Sequence, residues 1–256
     1  MMTGLTRIDI ARCVALGFLA VTALLAACVD ASAQAAPDYA AIVAAPDRSD
    51  ADRQTDKRRE PAQLLAFTGV HAGMRVLDMG AGGGYSTELL ARVVGPSGVV
   101  YAQDSAAIAD RAKPSFDARE RGAAMKPVVR LVRPYDDPVP PEVRNLDLVT
   151  FFFWYHDTTY MPVDRAKMDR ALFDALKPGG ILVIADHSAR PGDGTSVGNT
   201  FHRIEESVVK REVEAAGFKL VAEGDFLRHP EDPRDAPVFR PKVPVDEFVL
   251  RFEKPR

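Results

Sequence analysis

Acidic and histidine side chains follow two of the apolar segments in this sequence. His156 and Asp157 follow one segment, and Asp186 and His187 follow another. A histidine can take a proton from a hydroxyl, an amine or an acidic carbon and so act as a general base. His156, Asp157 and His187 are therefore the candidate catalytic residues, and His202 is a further histidine that could serve in this way.

The same types of side chain could instead bind a divalent metal ion. Imidazole nitrogens and carboxylate oxygens are suitable donors, and five residues would supply them: His156, Asp157, Asp186, His187 and Glu205. No two of these residues have the i,i+4 or two-residue spacing of dedicated metal ligands. We therefore expect no metal site.

A glycine-rich turn follows the first apolar segment after residue 73. It has the pattern D-x-G-x-G-x-G, formed by Asp78, Gly80, Gly82 and Gly84. Glycines let the backbone turn tightly and approach a ligand, and the helix that follows offers free N–H groups. The dinucleotide pattern G-x-G-x-x-G would need a glycine at Tyr85, which disfavours a nicotinamide-dependent oxidoreductase.

Predicted strands alternate with predicted helices along the rest of the chain. The strands are expected at 75–79, 99–103, 128–133, 147–155, 181–185, 218–223 and 247–253. This alternation indicates a mainly parallel sheet with helices on both faces. Such sheets bind ligands beyond the carboxyl ends of their strands, which is where the polar residues above lie.

The motif and its setting resemble the class I S-adenosylmethionine-dependent methyltransferases over about residues 70–254. The resemblance implies an α/β, Rossmann-like, doubly wound fold with a mainly parallel seven-stranded sheet and a C-terminal antiparallel hairpin. It also implies S-adenosyl-L-methionine as the cofactor. Asp78 would support the methionine end of this cofactor, and Gly80, Gly82 and Gly84 would form the loop around it.

Further cofactor contacts follow from the same resemblance. Asp104 would accept hydrogen bonds from the ribose hydroxyls, a role that suits a carboxylate at a strand end. Asp136 or Asp137 would meet the adenine, and the sequence does not choose between them. Among the candidate bases the resemblance favours His156, because the fourth strand adjoins the first in this family. The nearest likeness is to exported bacterial members, which have a similar His-Asp after that strand.

Residues 1–35 have the composition of a secretory signal peptide. Val14–Ala27 is a 14-residue apolar run broken only by Thr22, and an A-x-A pattern ends at Ala35. That run is shorter than the ~20 residues of a comfortable membrane span, although an uncleaved anchor is an alternative. A second alternative is a lipoprotein leader ending at residue 27, with a lipid anchor at Cys28. Cys13 and Cys28 are the two cysteines, so the mature chain would have none.

The composition bounds the remaining possibilities. The chain has 256 residues, 46% of them hydrophobic, and a formal net charge of −3, which excludes extensive disorder and gives no basic surplus for binding nucleic acid.

We expect a helical segment at 36–68, with a solvated charged helix at 47–60, and a methyltransferase domain at 69–256. The predicted protein is exported to the periplasm and methylates a small molecule or an envelope component. The alternative is a non-catalytic nucleoside-binding domain of the same fold.

Overall fold

A mixed sheet of seven strands forms the centre of the protein in a computed structural model that describes Met1 and residues 36–256. The strands are β1 (Arg75–Met79), β2 (Val99–Asp104), β3 (Val128–Val132), β4 (Leu146–Phe152), β5 (Leu176–His187), β6 (Lys219–Gly224) and β7 (Glu247–Glu253). Their order across the sheet is β3-β2-β1-β4-β5-β7-β6. Strands β1 to β5 pair in parallel, and β7 is antiparallel to both β5 and β6. The predicted fold class is confirmed.

Eight α-helices surround the sheet within residues 36–256. They are α1 (Tyr39–Val43), α2 (Asp50–Arg59), α3 (Pro61–Thr68), α4 (Tyr85–Val94), α5 (Ala106–Glu120), α6 (Arg165–Ala175), α7 (Gly198–Phe201) and α8 (Glu206–Ala215). Within that range, none of these helices combines the length and the apolar character that crossing a bilayer demands. The predicted signal peptide, the A-x-A site and Cys28 lie outside the described residues.

Alternate residues of the central strands enter two apolar clusters on opposite faces of the sheet, as the strand period of two requires. Leu77, Phe151 and Ile184 belong to one cluster, which α6 and α8 cover. Val76 and Leu148 belong to the other, which α3 and α4 cover. Both faces are thus buried, which explains why β4 is almost continuously apolar.

The N-terminal charged segment differs from its prediction. Arg48 and Asp52 are each only 5% exposed, so the expectation of a solvated helix was wrong for this side of the segment, whereas Gln54 and Lys57 of α2 are exposed as expected. Arg48 pairs with Asp56 at 2.7 Å, and Asp52 pairs with Arg119 of α5 at 2.8 Å. The charges of α2 are therefore used to dock this helix onto the sheet domain, and Pro37–Arg256 forms one compact unit.

The chain around residue 202 contains a helix break that the sequence does not indicate. The apolar spacing from Phe201 to Val213 predicts one helix, but α7 ends at Phe201 and α8 begins at Glu206. Between them the Ile204 N–H donates to the carbonyl of His187, and the Ala189 N–H donates to the carbonyl of Ile204. The segment thus extends beside the end of β5, and His202 has a left-handed backbone with φ 54°.

Candidate active site

A cavity of about 950 Å³ opens beyond the carboxyl ends of β4 and β5. Four arginines line one part of it: Arg58 and Arg59 at the end of α2, Arg111 of α5, and Arg240 in the long loop before β7. Such a lining attracts an anionic group on any ligand. This is the edge of the sheet where the sequence predicts a ligand.

The glycine loop adjoins the cavity through Trp154. Gly80, Gly82 and Gly84 have φ values of 67°, 52° and 83°, a region that L side chains rarely adopt. A Cβ atom on Gly80 would lie 2.7 Å from the Cγ atom of Trp154, whereas one on Gly84 would approach Phe116 of α5. The lack of a side chain at Gly80 therefore permits the close approach of the Trp154 indole, and the lack of one at Gly84 permits the packing of α5.

Asp78 lies beneath this loop rather than at its surface. It is 2% exposed, and its carboxylate accepts hydrogen bonds from the hydroxyls of Thr87 at 2.6 Å and Thr150 at 2.8 Å. Burial raises the pKa of Asp78 to about 6, against the lowering effect of these two bonds. In this conformation Asp78 ties β1 to α4 and β4 and supports the loop from below.

Asp104 occupies the end of β2, beside the loop. Its Oδ2 accepts the N–H of Gly82 at 2.9 Å, and its Oδ1 lies 3.5 Å from the hydroxyl of Tyr135. Burial raises the pKa of Asp104 to about 7, with the nearby charge of Asp78 adding to the rise. Next to it, the Oγ of Ser105 is buried and has no partner among the described residues.

The two aspartates that follow β3 are paired with basic side chains. Asp136 lies 3.7 Å from Lys167, and Asp137 pairs with Arg133. Neither residue lines the cavity. Tyr135, which also follows β3, is 1% exposed, stacks on Phe151 and has its hydroxyl 3.5 Å from Asp104.

Arg59 is a site residue that the sequence analysis missed. Its guanidinium lies 4.5 Å from the ring centroid of Phe153 and 5.4 Å from that of Tyr85, and its buried Nε has no partner among residues 36–256. Burial, together with the charge of Arg58, lowers the pKa of Arg59 to about 10, so it remains a cation at neutral pH. The only signal in the sequence was its place at the end of a charged helix.

His156 begins a polar network on the other side of the cavity. Its Nδ1 lies 2.7 Å from Asp186 Oδ1, and its backbone N–H donates to Asp186 Oδ2 at 2.8 Å. Its Nε2 lies 3.3 Å from Asp157 Oδ1 and 3.3 Å from His202 Nδ1. Burial lowers the pKa of His156, but Asp186 and Asp157 outweigh burial and raise it to about 10. The predicted pair His156 and Asp157 is thus brought together with His202.

His187 lies in the same cavity but outside this network. Its ring centroid is 5.5 Å from that of His156 and 5.3 Å from that of Phe153. Its Nδ1 is 2.9 Å from Glu247 Oε1, in poor alignment for a hydrogen bond. Burial holds the pKa of His187 well below its usual value, so this ring is neutral and forms part of the wall. Glu205, by contrast, accepts the N–H groups of Gly192 and Gly194 away from the cluster.

The residues around the glycine loop fit S-adenosylmethionine, the cofactor that the sequence implies. Asp104 and the unpartnered Ser105 hydroxyl suit a ribose, and the unpartnered Arg59 suits a carboxylate such as that of the methionine part. The indole of Trp154 lies directly over Gly80, so contact of the cofactor with this glycine requires the indole to rotate. A seven-stranded sheet of this order is the fold that the resemblance to the class I methyltransferases predicts.

Comparisons with known proteins agree with this class. Residues 43–126 match the protein-L-isoaspartate(D-aspartate) O-methyltransferase (PCMT) family. Over 170 residues, 64% of this chain, the sequence is 29% identical to the ubiquinone/menaquinone biosynthesis C-methyltransferase UbiE of Cronobacter sakazakii. The chain covers 63% of the length of that relative.

Solved structures share the fold. An S-adenosylmethionine-dependent methyltransferase from Aquifex aeolicus superposes with a TM-score of 0.56 at 20% identity, over 79% of this chain and 96% of the other. The [4+2]-cyclase SpnF superposes with a TM-score of 0.54 at 19% identity, over 80% and 82% of the two chains. The resemblance is therefore confirmed for the fold: the chain has the class I methyltransferase fold, and it is similar in sequence to methyltransferases over part of its length. S-adenosylmethionine is the cofactor of that class.

Proposed function

We propose that this protein transfers the methyl group of S-adenosylmethionine to a small-molecule acceptor bound in the 950 Å³ cavity, and that it does so outside the cytoplasm. The observation that carries this proposal is the cavity, whose lining contains Arg59 and Trp154 beside the glycine loop and also contains the His156, Asp157 and His202 cluster. Arg59 and the Trp154 wall of the glycine loop form the cofactor side. His156, Asp157 and His202 form the acceptor side.

The chain's own residues would do most of the work by positioning. The bound cofactor supplies an activated methyl group on a sulfonium, so the protein has to align the acceptor with it and exclude water. Asp104 would hold the ribose and Arg59 the methionine carboxylate. These contacts would hold the cofactor on both sides of its sulfonium and so would help to position its methyl group.

The side chains on the acceptor side of the cavity suit a polar molecule as the methyl acceptor. His156 Nε2, Asp157 Oδ1 and His202 Nδ1 all belong to residues that line the cavity, and they can bind a hydroxyl or an amine. The four arginines along the cavity favour an acceptor that also carries an anionic group, such as a carboxylate or a phosphate. A soluble metabolite or a fragment of an envelope component with these groups would suit the site.

Export is supported by residues 1–35, which combine an apolar run with an A-x-A pattern. Mass spectrometry of the mature N-terminus tests this part of the proposal. A chain that starts at Ala36 means a soluble exported form, and a lipidated Cys28 means an anchored form. An intact Met1 would overturn export.

Calorimetric titration tests the cofactor. We expect S-adenosylmethionine and its demethylated product to bind saturably, and we expect Asp104→Ala to abolish binding while NAD does not bind at all. Binding of NAD alone would overturn the proposal. The transfer itself is tested with a labelled methyl group and envelope or metabolite fractions, with the Asp104→Ala variant as the blank.

A second candidate is the non-catalytic nucleoside-binding domain. The position of Trp154 over Gly80 favours it, because the indole occupies space that a bound cofactor would use. Saturable binding without transfer to any fraction would support this candidate over the enzyme.

A further inference from the structure

Three side chains direct two imidazole nitrogens and one carboxylate oxygen at one point beside the cavity. His156 Nε2 lies 3.3 Å from His202 Nδ1 and 3.3 Å from Asp157 Oδ1, and His202 Nδ1 lies 3.1 Å from Asp157 Oδ1. Because Asp186 binds Nδ1 of His156, Nε2 faces the other two atoms. A proton on Nε2 can join the three atoms by hydrogen bonds, and a divalent cation at the centre of the triangle can take the place of that proton.

The size of this triangle matches a metal ion. With bonds of about 2.0–2.1 Å, neighbouring ligand atoms lie about 3.4 Å apart in a tetrahedral site and about 3.0 Å apart in an octahedral one. All three edges of the triangle fall between those values. We propose that His156, Asp157 and His202 bind a divalent first-row transition metal ion, with Zn²⁺ as the test ion.

The surroundings of the triangle are those of a built site. Asp186 fixes the orientation of the His156 ring through Nδ1, as outer carboxylates do for metal-bound histidines. The hydroxyl of Tyr160 donates to Asp157 Oδ1 and orients that carboxylate. His156 and Asp157 are 2% and 5% exposed, so water competes little for their positions.

The backbone of His202 gives a second, independent indication that this cluster is held in place. Its φ of 54° lies in the left-handed region, which a residue with a Cβ atom adopts at an energetic cost and keeps where the surroundings impose it. Here the pairing of Ile204 with the end of β5 stops α7 and turns His202 toward Asp157. A continuous helix, as the apolar spacing predicts, would not bring His202 to this position.

The donor set restricts the ion. Two imidazoles and one carboxylate suit Zn²⁺, Fe²⁺ or Mn²⁺, whereas Ca²⁺ and Mg²⁺ prefer oxygen donors alone. Three protein ligands leave at least one coordination position for another group. The ligand residues all line the cavity, so that position is available to a molecule bound there.

The role of the ion rests on the proposed function. It would bind the oxygen of the acceptor and lower the pKa of its hydroxyl, so that the proton passes to water. The oxygen then forms the O–CH₃ bond as the S–CH₃ bond breaks, and the electron pair of that bond stays on sulfur, which leaves as a neutral thioether. The substrate class that follows is a hydroxylated small molecule.

Metal analysis tests the site. The full chain, purified without a histidine tag, is dialysed against Zn²⁺ and then against buffer, and its zinc content is measured by mass spectrometry. We expect one Zn²⁺ per chain in the wild type and in His229→Ala, a control that removes a loop histidine far along the chain from the cluster. We expect His202→Ala and Asp157→Asn to weaken Zn²⁺ binding at least a hundredfold.

A spectroscopic readout separates binding from folding. Co²⁺ in place of Zn²⁺ should give visible absorption bands in the wild type that His202→Gln loses, while circular dichroism of that variant stays unchanged. Equal zinc content in wild type and both ligand variants would overturn the site, as would a wild type that retains no zinc. Calorimetric binding of S-adenosylmethionine is measured on the same samples, because its failure would count against the proposed function and not against the metal site.

Discussion

The raised pKa of Asp104 makes cofactor binding dependent on pH near neutrality. The carboxylate accepts ribose hydroxyls best when it is ionised, and burial places its pKa at about 7. Below that pH the group is protonated and loses one acceptor position. Cofactor affinity should therefore rise with pH through this range.

The size of the effect follows from the fraction of ionised Asp104. With a pKa of about 7, that fraction falls about tenfold between pH 8 and pH 6, so the dissociation constant for S-adenosylmethionine should rise by up to about tenfold. Calorimetry at both pH values measures the change. Asp104→Asn should bind the cofactor about tenfold or more weakly at pH 8, from the loss of a charge-assisted bond, and should show little dependence on pH.

Two results would refute this reasoning. An affinity that is equal at pH 6 and pH 8 would mean that Asp104 does not contact the cofactor or is ionised throughout. A pH dependence that persists in Asp104→Asn would assign the titration to another group. Thermal unfolding of the variant at both pH values shows whether it remains folded.

Three other predictions concern single side chains. Arg59→Met should weaken cofactor binding about tenfold or more by calorimetry, because an ion pair with the carboxylate is lost, whereas Lys57→Met on the exposed part of the same helix should bind as the wild type does. Trp154 is the only tryptophan, so its fluorescence should shift as the cofactor displaces it from Gly80; saturable binding with unchanged emission would contradict the indole movement. Burial raises the pKa of Asp169 to about 7, and this residue accepts the Tyr155 hydroxyl at 2.8 Å. A folded-state pKa raised from 3.8 to about 7 means that the contribution of this group to stability is lost as pH rises through about 7 and changes little above it. Asp169→Asn should therefore unfold roughly 2–4 °C higher than the wild type at pH 8, with a gain that shrinks towards pH 5.

The central sheet could be predicted because local sequence determines it. Each strand is an apolar segment bounded by turn residues, and β7 runs over Glu247–Glu253, as expected. Asp104 is found at the end of β2 for the same reason. The carboxyl ends of the strands then lie together by the geometry of a parallel sheet, which placed His156 and Asp157 at the right edge.

The docking of α2 could not be predicted from the sequence. A run of mixed charges has the same composition whether its partners are neighbours on the helix or residues on a distant element. Asp52 pairs with Arg119, which is 67 positions away, and Arg59 turns its guanidinium to Phe153. The positions of both side chains thus depend on contacts with residues that are distant in the sequence.

The histidine cluster was predicted in part. His156 and Asp157 are adjacent in sequence, but His202 joins them only because the helix breaks after Phe201. Spacing rules for metal ligands describe residues on one element. They therefore give no indication of the proposed metal site, whose residues come from the end of a strand and from a helix terminus.

The glycine loop and part of the cavity lining come from different parts of the chain, and this separation matters for how the protein could change over generations. The glycine loop and Asp104 lie within the region that matches the PCMT family, at 43–126. His202, Phe239 and Arg240 come from the last sixty residues and line the cavity. Under the proposed function, substitutions in that later region would alter which molecule is accepted, while the residues proposed to hold the methyl donor stay unchanged.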